Sequence, residues 1–137
     1  MAENEPLEYF MEGNQNSKNI VVFLQGWPDN HQVWEPIDHQ NTLKDNRVLF
    51  INFPNTSKSQ EELKWGQDFP VIVQRMKRTF EKIGLEKYQK KVVVAHDWGC
   101  FYFYLFDKVI NIPFRHFLES STILLHLMCL LMLRCRA

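Results

Sequence analysis

Glycine is scarce in this 137-residue sequence. There are five, Gly13, Gly26, Gly66, Gly84 and Gly99, against an average near 7% of residues. Glycines retained under such scarcity mark places where the backbone needs them. Cysteine is sparse and odd in number (Cys100, Cys129, Cys135) and lacks C-x-x-C spacing. That excludes a disulfide framework and a zinc knuckle, and points to reduced thiols and a cytoplasmic protein. Net charge is zero, with 16 Lys+Arg against 16 Asp+Glu, so the basic excess of a nucleic-acid binder is missing. The acidic, polar start at Met1–Pro6 does not read as a secretory signal. The most apolar stretch, Ile123–Leu133, would span roughly 16 Å as a helix, about half of a ~30 Å bilayer core.

The chain is 45% hydrophobic and 14% aromatic, too apolar for disorder and sufficient for one globular core. Leu7–Met11 reads as a short strand. Ile20–Leu24, Val48–Phe53 and Lys91–Ala95 are continuous rather than alternating apolar runs, the signature of strands covered on both faces. Trp34, Ile37 and Leu43 have helix-like spacing, with Pro36 in a first turn or as an interruption. Phe69, Val73, Met76, Phe80 and Ile83 step by 4, 3, 4 and 3, one helical face. Asp68 is placed to cap that helix, Pro70 fits its first turn and Gly84 the residue past its end. A buried aromatic helix is expected over Phe101–Val109, and an internal helix over the terminal apolar run. Strands separated by crossover-length segments make the fold class α/β with a mostly parallel sheet.

In such a sheet ligands bind beyond the carboxyl ends of the strands, and two of those ends carry unusual turns. Gln25-Gly26-Trp27-Pro28 follows the first buried strand, and Ala95-His96-Asp97-Trp98-Gly99-Cys100 closes the third. A sharp strand-to-helix elbow at Asp97 demands small neighbours, and Ala95, Gly99 and Cys100 meet that demand. The elbow would raise Asp97 at the top of the sheet and aim amides of the next helix into the same space. The plainer reading of Asp97 is a loop or helix-capping aspartate. The D-F-G segment of protein kinases is a poorer match, because neither a glycine-rich loop nor an H-R-D segment precedes it.

These motifs resemble the α/β-hydrolases, in particular the epoxide hydrolase and haloalkane dehalogenase branch. Its nucleophile motif G-H-D-W-G-G is similar to Ala95–Cys100, and its oxyanion motif H-G-x-P to Gln25–Pro28, with Gln25 where histidine is usual. The resemblance runs from about Leu7 to Lys108 as hairpin, strand, oxyanion turn, helix, strand, helix and nucleophile strand. It implies a partial α/β-hydrolase fold over residues 1–113, truncated after the elbow helix and followed by an atypical apolar segment over 114–137. It implies that Asp97 is a nucleophile forming an alkyl-enzyme ester. The N–H groups of Trp27 and Trp98 would hold the oxyanion, with Gly26 and Pro28 shaping the loop. An aromatic residue at Trp27 favours an epoxide substrate over a halide. No cofactor or metal is implied.

The family's water-activating histidine and second acid lie in a C-terminal half that the matched residues do not include, so turnover by this chain alone is not expected. His96 should point away from Asp97, since consecutive strand residues face opposite sides. His31 and His39 read as solvated surface residues, and His116 and His126 lie beyond the match. The alternative function is non-catalytic: association with another chain, with itself or with a membrane surface through the apolar C-terminal segment.

Overall fold

The computed structural model describes residues 5–37, 41, 43–56, 66–109 and 121–125. Five strands, β1 (Glu8–Gly13), β2 (Asn19–Leu24), β3 (Arg47–Asn52), β4 (Lys90–Ala95) and β5 (Ser121–Leu125), form one sheet in the order β1-β3-β2-β4-β5. Only β1 is antiparallel to its neighbour. The α/β expectation therefore holds, and the continuous apolar runs are the central strands. β2 is buried along Ile20–Leu24, with Ile20, Val22 and Leu24 on one face and Val21 and Phe23 on the other.

Two helices, α1 (Phe69–Ile83) and α2 (Trp98–Val109), pack on the first face. The α1 bounds coincide with its apolar spacing, and Ile72, Val73, Met76 and Phe80 are its buried stripe. Phe80 meets Phe106 of α2 edge-on at 5.2 Å. Gly84 takes the left-handed conformation (φ 68°) that ends α1. Asp68 occupies the N-cap position, but its side chain makes no capping bond; its exposed carboxylate leaves the first turn to the backbone, where Ile72 N–H donates to Asp68 O at 3.1 Å.

Other expectations meet the structure as follows. β1 forms no hairpin with β2: both edges of β2 are taken by β3 and β4, so β1 runs along β3. The turn that carries it there is held by Gly13, where a Cβ would overlap the Asn46 carbonyl. In the stretch with the Trp34–Leu43 spacing, His31–Trp34 forms a four-residue 3-10 helix ahead of Pro36, and Asn41 is helical. Residues 38–40 and 42 lie outside the described ones. The terminal apolar run begins as a strand rather than a helix: Ser121–Leu125 pairs in parallel with Lys91–Ala95, satisfying backbone groups that β4 would otherwise expose at the edge. The rest of that run is outside the described residues.

Candidate active site

β2 is flanked by β3 and β4, which the chain reaches on opposite sides, so the strand order reverses at β2. The crevice beyond the carboxyl ends of β2 and β4 is the ligand-binding position of such sheets. Leu24 and Ala95 are paired at those ends, and the next residues are the two turns singled out above.

His96 N–H donates to Leu24 O at 2.9 Å, extending the ladder by one step. The chain then reverses at Asp97, which sits in the left-handed region at φ 50°. Gly99 N–H closes on His96 O at 2.9 Å and Cys100 N–H on Asp97 O at 3.0 Å as α2 begins. The small neighbours are required sterically. A Cβ on Gly99 would stand 2.7 Å from the Leu24 carbonyl carbon and 2.8 Å from Gln25 O, and Ala95 and Cys100 are buried beneath the bend. A non-glycine residue at positive φ inside a well-packed turn is a strained conformation of the kind that clusters at functional sites.

The opposite turn leans on the same carboxylate. A Cβ on Gly26 would stand 2.5 Å from Asp97 Cβ and 2.8 Å from its Cγ. Asp97 is half-buried, while Trp27 is 64% exposed and Trp98 is 40% exposed. Neither tryptophan N–H donates to a backbone carbonyl among the described residues, and the Trp27–Pro28 peptide is cis. Gly26 is thus packed against Asp97, Trp98 follows Asp97 in the chain, and Trp27 and Pro28 follow Gly26 in the facing turn.

Two residues missed in the sequence belong to this region. Asn52, fully buried at the end of β3, ties the turn after β2 down. It accepts from Gln25 Nε2 at 3.3 Å and from His31 N–H at 2.7 Å, and donates to Glu8 Oε2 at 2.6 Å. Its signal was a lone amide inside an apolar run, since a buried polar group needs partners. Tyr102 follows Trp98 by one helical turn and lines a groove of about 360 Å³ with Trp27, Pro54, Asn55, Phe69 and Ile72. Burial, and secondarily the Asp97 charge, hold its phenol above the ordinary tyrosine range. The run of aromatics in α2 is accordingly not buried throughout: Phe103 and Phe106 are core, while Tyr104 is exposed.

The histidines sort differently from expectation in one case. His96 turns to the other face of the sheet, edge-on to Trp34 at 6.5 Å. His31 is not a solvated residue. It is half-buried, with its N–H on Asn52 and its ring 4.3 Å from that of Phe10. His39, His116 and His126 fall outside the described residues. Among the described residues no group of three His, Cys, Asp or Glu side chains could hold a metal ion, and no helix is long and apolar enough to cross a membrane.

A mostly parallel sheet with helical crossovers and a strained elbow at its switch point is the α/β-hydrolase fold, and this chain carries part of it. Solved structures with that fold superpose closely. An α/β-hydrolase enzyme from a Medee basin deep-sea metagenome library matches 87% of this chain at 15% identity and a TM-score of 0.65. An esterase from Exiguobacterium antarcticum matches 87% at 14% identity and 0.66, and MenH from S. aureus 86% at 18% and 0.62. This chain spans 40%, 40% and 41% of those three. No protein-family model and no curated protein sequence matches it.

Proposed function

We propose that this protein carries the nucleophile half of a hydrolase that opens epoxides through an alkyl-enzyme ester. The observation that carries the reading is the carboxylate of Asp97 on a strained elbow at the switch point. Chemistry selects the electrophile. A carboxylate attacking an ester carbonyl gives a reactive anhydride, whereas attack on a saturated carbon gives a stable ester. An Asp nucleophile therefore suits a strained or activated sp³ carbon.

In this reading Asp97 Oδ bonds to an epoxide carbon, the C–O bond breaks, and the ring oxygen takes a proton from water to become a hydroxyl. Hydrolysis of the ester then needs water and a base, with the N–H groups of Trp27 and Trp98 holding the oxyanion. His31 and His96 are engaged with Asn52 and with Trp34 on the far face, so neither serves as that base. Ester formation without turnover is the expected behaviour of this chain. An epoxide is favoured over a haloalkane by the aromatic residue after Gly26.

The test is intact-mass spectrometry after incubation with styrene oxide. One covalent equivalent on Asp97, absent in Asp97→Asn, is expected. No mass gain, or a gain retained in Asp97→Asn, would overturn the reading.

A further inference from the structure

The face of the sheet away from α1 and α2 ends in polar residues. Phe23 and Phe50 lie on that face, and Asn52 continues it toward the carboxyl end of β3. Glu8 of β1 stands opposite Asn52, and His31 closes over the group with its ring 4.3 Å from that of Phe10. Gln25 and Asn52 are fully buried, so the proton positions follow from matching donors to acceptors.

Asn52 Oδ1 takes the His31 backbone N–H at 2.7 Å and Gln25 Nε2 at 3.3 Å, which occupies both of its lone pairs. The amide nitrogen then gives one hydrogen to Glu8 Oε2 at 2.6 Å and points the other at His31 Nδ1, 3.1 Å away. His31 Nδ1 is thereby an acceptor, with the ring proton on Nε2. Donation from Nδ1 to Asn52 Oδ1, 3.3 Å away, would need a third lone pair. A second ring proton would thus meet an N–H donor, with the Glu8 carboxylate just across the same amide. Among the described residues, Glu8 is the titratable group that meets this cluster. β3 brings Asn52 and Phe50 and the turn after β2 brings Gln25, none of which titrates. Asp29 and Glu35, nearby in the chain, are exposed, and His96 packs on Trp34.

We infer that Glu8, Asn52 and His31 form an acid-operated latch on the turn after β2. With His31 neutral, the Asn52 amide bridges imidazole and carboxylate while its oxygen tethers Gln25. Protonated His31 pairs with Glu8 directly and displaces the amide. Asn52 Oδ1 then leaves Gln25 and the His31 N–H, freeing the turn that carries Gly26 and Trp27. The latch does not depend on the chemistry of Asp97.

The experiment follows the full chain by NMR from about pH 8 to about pH 5, the interval in which histidine side chains change charge. At the upper end, long-range nitrogen–proton spectra should show His31 protonated on Nε2 alone. Toward the lower end, the backbone amide of residue 31, corrected for intrinsic exchange, should lose about tenfold of its protection, the scale of one hydrogen bond. His31→Phe keeps a ring against Phe10 and cannot take the proton, so this loss should vanish. Glu8→Gln keeps an acceptor for Asn52 Nδ2 but removes the charge that draws the imidazolium, so the loss should shrink. If His31→Phe does not fold, Glu8→Gln decides alone. A proton on Nδ1 at about pH 8, protection unchanged across the interval, or a response retained in full by either folded variant overturns the latch.

Discussion

Gly26 and Asp97, 71 positions apart in the sequence, share one volume: a Cβ on Gly26 would overlap the Asp97 side chain. The two turns at the strand ends are thereby coupled directly. Gly26→Ala should cost about 1–3 kcal/mol of unfolding free energy, the range for overpacking a tight contact. In an Asp97→Gly background the same substitution should cost far less, leaving a coupling of about 1 kcal/mol or more in a double-mutant cycle followed by urea denaturation. Additive effects would show that the turns do not meet.

Asp97 also stores strain. Its φ of 50° is a region that glycine enters freely and other residues enter at a cost. Asp97→Gly should therefore raise stability by about 1 kcal/mol while abolishing ester formation. Thermal melts alongside intact-mass spectra check both halves. A drop in stability would mean that the carboxylate has stabilising partners and that the bend is not under strain.

How much of this was written in the sequence depends on distance. β2, β3, β4 and α1 were legible because local apolar period dictates them, and the elbow because Ala95, Gly99 and Cys100 could only be tolerating a close approach. What they tolerate, the Leu24 and Gln25 carbonyls, is a tertiary fact. The same limit hid Asn52, whose partners lie 21, 27 and 44 residues away. It misplaced β1 as well, since pairing with β3 rather than β2 is decided by which edges the other strands occupy. Asp68 looked like a cap from spacing alone and occupies that position, yet its side chain makes no capping bond.

Asn52 offers a sharper test of the site's support. Its amide meets Gln25, His31 and Glu8 at once, and truncation would leave buried donors without acceptors. Asn52→Ala should cost about 2–3 kcal/mol and slow labelling of Asp97, because the Gln25–Trp27 turn loses its tether. Glu8→Gln keeps an acceptor for Asn52 Nδ2 and should cost well under half as much. Equal losses in both variants would show that the charge of Glu8, not the amide hub, holds the network.

Thr79 of α1 ties down the N-terminal segment. Its Oγ1 accepts from Leu7 N–H at 2.9 Å and its hydroxyl donates to Arg75 O at 2.9 Å. Thr79→Val preserves shape and leaves a buried N–H unpaired, for an expected loss of about 1–3 kcal/mol. Thr79→Ser, keeping the hydroxyl, should recover most of it. Hydrogen exchange at the Leu7 amide gives the local readout: it should accelerate in Thr79→Val and stay slow in Thr79→Ser.

Tyr102 makes the site titratable in the alkaline range. Burial first, and the Asp97 charge second, disfavour its phenolate, so the folded state holds that proton more tightly than the unfolded chain does. Below the ordinary tyrosine pKa of about 10 both states are protonated and stability is unaffected. Above it the unfolded chain gives up the proton first, and the folded state loses stability as pH rises toward the raised value. Tyr102→Phe should flatten this alkaline decline. Difference titration of phenolate absorbance between the wild type and Tyr102→Phe isolates this residue from the other three tyrosines. Asp97→Asn should move its titration part of the way back toward the ordinary range, because the buried environment remains when the charge is gone. A titration unmoved by Asp97→Asn would mean that the phenol does not sense the carboxylate and that the groove and the elbow are electrostatically separate.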